Sequence, residues 1–231
     1  MNPILTVVLG AAALNLYALV LVVLRGPVFA TRVYRPMLLN IALSLAPALV
    51  LAVVLGALLG AVALASPVAV WLVVVVGGLA WLLLLPNSAY LVTELNFSHR
   101  RDGEDVPLWF DIVLVLSLAL SGVVNTLLNV LLVQVVFVAV AYPNDAAPLE
   151  RASSWIVVVV VLALVTFGMY LGRYLRFNSW DVRHPGGMVR KLAGHFRERR
   201  NLAYAAGFCL THTALLAIVY VLVMGPAVAV L

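Results

Sequence analysis

Six long apolar stretches constrain this sequence more than any other feature, because each could form a helix that crosses a lipid bilayer. A spanning helix needs about 20 mainly apolar residues. In lipid, every backbone N–H and C=O group must be bonded within the protein, and a helix achieves this without a neighbour. The stretches cover about 4–24, 38–64, 68–85, 112–140, 154–175 and 202–224. The sequence therefore predicts an all-α integral membrane protein, with a six-helix transmembrane bundle forming one domain over residues 1–231.

The composition supports lipid as the solvent of this chain. Only 10% of the 231 residues are charged and 65% are hydrophobic, whereas a soluble domain has about 25% charged residues. The lipid bilayer is therefore the first partner that the sequence predicts. The net charge of +5 is distributed unevenly along the chain, which indicates membrane orientation and not a nucleic-acid partner. Cys209 is the one cysteine, so an internal disulfide and a cysteine-based metal motif are both excluded.

Lysine and arginine residues fall almost entirely into alternate connections between the apolar stretches. Thirteen of the fourteen lie in 25–36, 86–110 and 173–201, and the remaining one is Arg151. Connections that are rich in Lys and Arg stay in the cytoplasm. Both termini are therefore predicted to lie outside, with the three basic connections inside.

The longest basic connection contains a shorter helical pattern. In the segment GGMVRKLAGHFRERR, residues 186–200, apolar side chains recur at helical intervals and basic side chains occupy much of the rest. This pattern is typical of a short amphipathic helix that lies on an anionic membrane surface, which makes anionic lipid an expected partner. A basic connection that only fixes the orientation of the chain explains the same residues equally well.

Three polar segments end at the predicted cytoplasmic boundary: PNSAYLVTE at 86–94, PLWFD at 107–111 and RYLRFNSWD at 173–181. Proline cannot continue the third helix cleanly, and Asn87 or Ser88 is a favourable N-cap for a new one. The free N–H groups of such a helix start would bind an anion. The three segments predict a cluster that binds an anionic head group or forms ion pairs, made of Asn87, Tyr90, Glu94, Asp111, Arg173, Arg176, Asn178, Trp180 and Asp181.

Each of these residues also has a simpler explanation. A proline at the end of a span is often only a kink. Asp111 opens the fourth stretch, and an acid there interacts favourably with the helix dipole. Arg173 and Arg176 could extend to lipid phosphates as ordinary boundary arginines.

Polar residues also lie inside two of the apolar stretches. Ser117, Ser121, Asn125 and Asn129 recur every four residues and so cover an arc of about 120° on the fourth helix. Such a stripe faces another helix or a water-filled path, and hydrogen bonding between helices is the more common explanation. His212 lies about ten residues into the sixth stretch. An ionisable group at that depth is a functional candidate, although a histidine bonded to a neighbouring helix is the more frequent outcome.

The segments LPNSAYLVTEL, PLWFDIVLVLSLALSG and FGMYLGRYLRFNSWD resemble the signature segments of a bacterial multi-pass membrane family known as domain of unknown function 1361. The chain departs from that pattern at Ser88-Ala89, and Glu94 stands where the family has Asp. The resemblance implies a multi-pass protein of the bacterial inner membrane and implies no activity. It rests on Pro86, Asn87, Tyr90, Glu94, Asp111, Gly172, Arg173, Asn178, Ser179, Trp180 and Asp181.

Three functions fit this pattern of residues. The first is a site at the cytoplasmic leaflet for an anionic head group, in which Arg173 and Arg176 hold phosphate. Glu94, Asp111 and Asp181 could hold a divalent cation there, because such ions take oxygen ligands. The second is a component of a small-solute or ion transporter, lined by the fourth and sixth stretches. The third is a structural or assembly subunit whose polar groups only lock its helices together, and its partner would be another protein or a second copy of itself. The sequence has no nucleophile–base pattern typical of an enzyme.

Reporter fusions test the predicted orientation. Fusions after Pro143 and after Leu231 are expected to report the outside, and a fusion near Gly186 the cytoplasm, because thirteen of the fourteen basic residues then lie inside. A phosphatase that is active only outside and a fluorescent protein that matures only inside give complementary readouts. The reversed pattern would contradict both the orientation and the cytoplasmic position of the polar segments.

Overall fold

The computed structural model describes residues 3–96, 103–175 and 185–229, and within these ranges the chain is helical apart from short connections. Nothing in the described part of the chain is a β-strand. Its α-helices are α1 (Pro3–Phe29), α2 (Arg35–Ala63), α3 (Pro67–Leu72), α4 (Gly78–Leu84), α5 (Pro86–Ala89), α6 (Leu108–Ala141), α7 (Ala152–Tyr170), α8 (Pro185–Phe196) and α9 (Arg199–Val228). Further helical turns are the π-helices Val73–Gly77 and Leu171–Leu175 and the 3-10 helices Tyr90–Asn96 and Pro148–Glu150.

Six helices in the described ranges are long and apolar enough to cross a membrane. They confirm the predicted all-α fold with six membrane-length helices, so the chain is a multi-pass membrane protein. The first continues past residue 24 to Phe29, and the third continues past residue 85 to Thr93. The six spans are Ile4–Phe29, Arg35–Ala63, Pro67–Thr93, Leu108–Ala141, Ala152–Leu175 and Arg199–Val228.

The short helix predicted before the last span is present as α8. It ends at Phe196, so Arg197 and Glu198 form a turn, and Arg199 and Arg200 begin α9 instead of continuing α8. The side chain of Asn201 explains this end. Its amide nitrogen donates to the carbonyl oxygen of His195 (3.0 Å) and to Oε2 of Glu198 (3.3 Å), which closes the turn between the two helices.

The chain forms two compact units, Met1–Asn129 and Val130–Leu231, which we call the N-terminal and C-terminal units. In the N-terminal unit, α2 packs against α1 and against every part of the third span. The single transmembrane domain expected over the whole chain stays a prediction. The core of the N-terminal unit contains Ala18, Val22, Met37, Ile41, Leu91, Val106, Phe110, Leu114, Val115 and Leu118.

In the C-terminal unit, α7 packs along α9, and α8 packs against α9 and against the π-helical turn that ends the fifth span. Leu192 and Phe196 lie one turn apart on α8, so they form a common apolar face. Both pack onto a core of Tyr170, Leu175 and Ala205. The amphipathic helix therefore rests on the spanning helices with its apolar side.

Gly122 of α6 lies where the third span approaches most closely. A Cβ atom at this position would lie 2.6 Å from the carbonyl oxygen of Ser88 and 2.7 Å from Cβ of Leu91. We expect Gly122→Ala to lower the free energy of unfolding by about 1–3 kcal/mol, because overpacking forces the backbones apart. Thermal unfolding in detergent measures the change. The matched control is Gly56→Ala on α2, where an added Cβ meets nothing within 4 Å. Equal melting temperatures for both variants would contradict this packing.

Candidate functional site

A buried charged cluster lies at the beginning of α6 in the N-terminal unit. We call Arg25, Glu104 and Asp111 the Arg25 cluster. Nε of Arg25 donates to Oδ1 of Asp111 (2.9 Å), and Nη2 donates to Oδ2 of Asp111 (3.4 Å) and to Oε2 of Glu104 (2.8 Å). Arg25 is 3% exposed and Asp111 is 0% exposed. Charges buried to this degree need a partner of opposite sign, and a guanidinium that reaches both carboxylate oxygens is a strong one.

The position of Arg25 follows from the spacing of the inward-facing residues of α1. Asn15, Ala18, Val22 and Arg25 are all buried and are spaced by three or four residues, as one helix face requires. The first apolar stretch ends at about residue 24 of the sequence, so the sequence places Arg25 in a connection and does not predict it as a site residue. Its spacing from Asn15 was the signal that could have found it.

A second buried group joins α6 to three other parts of the N-terminal unit. Asn15 of α1 and Asn125 of α6 exchange two hydrogen bonds of 2.8 and 2.9 Å between their side-chain amides. Nδ2 of Asn125 also donates to Oγ of Ser44 on α2 (2.9 Å), and Oγ of Ser88 on α5 donates to the carbonyl oxygen of Ser44 (2.6 Å). These four residues, at most 8% exposed, form what we call the polar core network.

The rest of the predicted polar stripe on α6 is also bonded to protein atoms. Oδ1 of Asn129 accepts a hydrogen bond from Nε1 of Trp81 (3.0 Å), and its Nδ2 donates to the carbonyl oxygen of Asn125 (2.9 Å). The hydroxyls of Ser117 and Ser121 each donate to a carbonyl three residues earlier in α6, at 2.8 Å. Asn125 and Asn129 thus form side-chain hydrogen bonds to other helices, and the side chain of Asn129 also bonds α6. The hydroxyls of Ser117 and Ser121 bond α6 itself.

The helix start predicted at Asn87 or Ser88 is wrong. Leu85 has helical backbone angles and no side chain caps this position. The fixed φ of proline, about −65°, is compatible with a helix, so the third span continues through the proline. Ser88 belongs to the polar core network instead. Asn87 and Tyr90 are half-buried, and the side chain of Glu94 lies outside the described residues.

In the C-terminal unit, Tyr170 fastens α8 to the spanning helices. Its hydroxyl lies 2.8 Å from Nε2 of His195 on α8, and it donates to the carbonyl oxygen of Asn201 at the beginning of α9 (3.4 Å). The ring of Tyr170 stacks on that of Tyr174, with 4.6 Å between centroids. Only 1% of Tyr170 is exposed. The end of α7, α8 and the beginning of α9 are therefore held together at one point.

Exposed arginines lie near this junction. Arg173 lies in the π-helical turn, a conformation that occurs frequently at functional sites, and it is exposed. Because α8 packs against that turn and against α9, the exposed arginines of α8 and of the following turn lie at the same end of the unit. We call these residues the basic rim: Arg173, Arg190, Arg197, Arg199 and Arg200. The predicted cluster residues Arg176, Asn178, Trp180 and Asp181 lie outside the described residues.

His212 is bonded to its own helix. Its Nδ1 lies 2.9 Å from the carbonyl oxygen of Phe208, and its ring stacks on that of Phe208 with 3.8 Å between centroids. The adjacent Thr213 makes the bond to another helix at this level, because its hydroxyl lies 2.9 Å from that of Thr166 on α7.

The connection between α6 and α7 contains an exposed ion pair. Nε of Arg151 bonds Oδ2 of Asp145, and its guanidinium lies 4.6 Å from the centre of the Tyr142 ring. The hydrogen bond from Arg151, together with one from the backbone N–H of Ala147, lowers the pKa of the Asp145 carboxyl below its ordinary value. Exposed pairs of this kind contribute little to stability, so Arg151 provides a control for experiments on the other arginines.

Of the three residues predicted to hold a divalent cation, only Asp111 has its side chain in the described part of the chain, so this site stays a prediction. No group of three metal-binding side chains occurs in that part of the chain. Both oxygens of Asp111 face the guanidinium of Arg25, so a cation at Asp111 would have to displace it. The side chain of Glu94 and the whole of Asp181 lie outside the described residues.

Comparison with known proteins confirms the family that the sequence resembles. A model of the family described as Protein of unknown function (DUF1361) matches residues 39–219. The match covers more than half of the chain, and the chain belongs to this family. No curated protein and no solved structure matches it.

Replacement of Arg25 tests the importance of the Arg25 cluster. We expect Arg25→Met to lower the free energy of unfolding by about 3–5 kcal/mol, because it leaves a buried carboxylate without its cation. Adding Asp111→Leu should restore part of the loss by removing that carboxylate. Thermal unfolding in detergent measures both changes. Arg151→Met, which breaks the exposed pair, is the control and should shift the melting temperature little. Equal shifts for Arg25→Met and Arg151→Met would rule out a stabilising role for this cluster.

Proposed function

We propose that this member of the family binds a phosphate-bearing anionic head group at the cytoplasmic leaflet of the bacterial inner membrane. The observation that carries the proposal is the position of the basic rim, whose arginines are exposed where α7 ends and α9 begins. Arginine binds phosphate through two parallel N–H donors. The cytoplasmic side follows from the excess of basic residues in this connection.

The contacts of α8 support a fixed binding site in preference to a loose basic connection. Its apolar side chains pack onto the core, and His195 is bonded to Tyr170. Asn201 closes the turn that follows α8. Side chains presented from fixed helices lose less conformational entropy when a ligand binds. Each Lys or Arg near an anionic membrane surface adds about 1 kcal/mol of attraction.

The sequence suggests that the site extends beyond the described residues. Arg176, Asn178 and Trp180 follow Arg173 closely in the chain and offer further N–H donors, so they are part of the proposal. Asn87, Tyr90 and Glu94 belong to the N-terminal unit and remain candidates by sequence alone. A divalent cation that bridges phosphate to Glu94 or Asp181 also stays a prediction. Asp111 is assigned to the Arg25 cluster, because its carboxylate faces Arg25.

A structural or assembly function is the second candidate, and the polar core network favours it. Hydrogen bonds between membrane helices contribute about 0.6 kcal/mol each, and this network joins α1, α2, α5 and α6. Such a subunit would bind a protein partner or a second copy of the chain. Transport has less support, because Asn125 and Asn129 are each bonded at both amide atoms and His212 is bonded to its own helix.

Two substitutions of Arg173 test the head-group function. If the guanidinium binds phosphate with two donors, lysine cannot replace it, because an ammonium group acts as a point charge. We expect both Arg173→Lys and Arg173→Ala to reduce co-purifying anionic lipid about tenfold, as expected for losing a charge-assisted hydrogen bond. Folded yield in detergent should stay near that of the wild type for the lysine variant. Mass spectrometry of extracted lipid gives the measurement.

The same substitutions at Arg151 provide the matched control, because that arginine is exposed but paired with Asp145. Neither Arg151→Lys nor Arg151→Ala should change the retained lipid. If Arg173→Lys retains as much lipid as the wild type, Arg173 only extends to the membrane surface and the bidentate site is ruled out. If alanine lowers the yield and no anionic lipid is ever retained, the structural function is the better explanation.

A further inference from the structure

An apolar cavity that is largely open to its surroundings lies between α7, α9 and the end of α8 in the C-terminal unit. Its volume is about 280 Å³, and its lining has almost no polar surface. Ligand cavities usually have volumes of about 300–1,000 Å³, so this one suits a narrow apolar group and not a polar solute. The lining residues are Phe167, Phe196, Leu202, Ala205, Ala206 and Cys209.

The cavity borders the outer surface of two spanning helices. Phe167 on α7 is 39% exposed and Leu202 on α9 is 55% exposed. Exposed apolar side chains on spanning helices lie against the hydrocarbon of the bilayer. The apolar groups available in the highest concentration at this position are therefore the acyl chains of lipids.

Positively charged side chains lie next to the apolar lining of the cavity. Phe196 ends α8 and Leu202 lies in the first turns of α9, and between them are Arg197 of the connecting turn and Arg199 and Arg200 of α9, all three of which are exposed. This turn is fixed by the side chain of Asn201 and by the backbone bonds around it. An apolar cavity next to a cluster of cations is complementary to an amphiphile that has a phosphate group and a hydrocarbon chain.

We infer that the cavity holds one acyl chain of the lipid whose phosphate the basic rim binds. This inference rests on the proposed function and names its ligand as a phospholipid and not a soluble phosphate ester. An acyl chain enters the cavity from lipid hydrocarbon and not from water, so what it gains there is van der Waals packing. A phospholipid gains from both parts of the site, whereas a soluble ester gains only from the arginines.

A pair of alanine substitutions on α9 tests the cavity. Ala206 is exposed and lines the cavity, so Ala206→Phe places a ring in it without disturbing a buried position. Ala203 is also exposed but does not line the cavity, so Ala203→Phe adds the same apolar bulk elsewhere on the helix. Retention of phosphatidylglycerol and of phosphatidylcholine with the same acyl chains is measured by native mass spectrometry in one detergent. We expect Ala206→Phe to reduce the retained phosphatidylglycerol about fivefold or more, because the added ring overfills the cavity, and Ala203→Phe to retain the wild-type amount.

Cys209 gives a second measurement that needs no substitution. It is the one cysteine of the sequence and it lines the cavity. Phosphatidylglycerol is expected to slow its alkylation by N-ethylmaleimide several-fold in the wild-type protein, because an acyl chain in the cavity blocks the thiol. Glycerol 3-phosphate, which has the head-group phosphate and no acyl chain, should leave the rate unchanged. Alkylation that is unaffected by the lipid would overturn the inference even if a variant failed to fold.

The double variant Arg199→Gln/Arg200→Gln separates this inference from the proposed function. If it loses phosphatidylglycerol while Ala206→Phe retains it, the head-group site survives and the acyl-chain cavity is overturned. If Ala206→Phe loses both lipids equally and the arginine variant loses neither, the head-group function is overturned, and with it the anionic identity of the lipid. If all variants retain both lipids as the wild type does, both proposals are overturned.

Discussion

The side-chain amide of Asn125 holds together the helices of the N-terminal unit. It bonds Asn15 in both directions and also bonds Ser44, so one residue of α6 fixes the position of α1 and α2. Each such bond contributes only about 0.6 kcal/mol in a membrane protein. The larger effect is the cost of losing these bonds, because the hydrocarbon of the bilayer contains no water that could bond the free amide instead. A shift of α1 or α2 along α6 would leave polar groups unsatisfied, and this restricts the unit to one packing arrangement.

The cost of a buried group without a partner is higher for a charge than for an amide. Arg25 continues the inward-facing spacing of Asn15, Ala18 and Val22 on α1, so its guanidinium points into the bundle and not toward lipid phosphates. A cation in that position must meet carboxylates, and Asp111 and Glu104 supply them. The ion pair also ties the end of the first span to the beginning of the fourth. The charge that first appeared to be part of a basic connection is therefore one of the groups that position the helices.

The sequence predicted those features that depend on local composition. Hydropathy alone identified six membrane-length helices, and the amphipathic pattern identified α8, because both depend on residues close together in the chain. The hydrogen-bond partner of a residue on another helix depends on which helices pack together. The periodicity of the sequence shows only the helix face on which the residue lies. The stripe on α6 was therefore recognised, but its bonds to Asn15 and Trp81 were not. The continuation of the third span past its proline was missed because a membrane helix can pass through a proline when its surroundings compensate for the lost hydrogen bond.

The buried polar groups of the N-terminal unit and the basic rim of the C-terminal unit differ in how accessible they are to a ligand. In the N-terminal unit, the polar core network and the Arg25 cluster join side chains of that unit to one another, so a ligand at either of them would have to break existing bonds. In the C-terminal unit, the bonds of Tyr170 and Asn201 fix α8 and its turn but leave the arginines of the basic rim exposed. A binding site needs rigid support and accessible donors at the same time. The junction of α7, α8 and α9 combines both, with an apolar cavity beside it, and for this physical reason we propose that recognition takes place there.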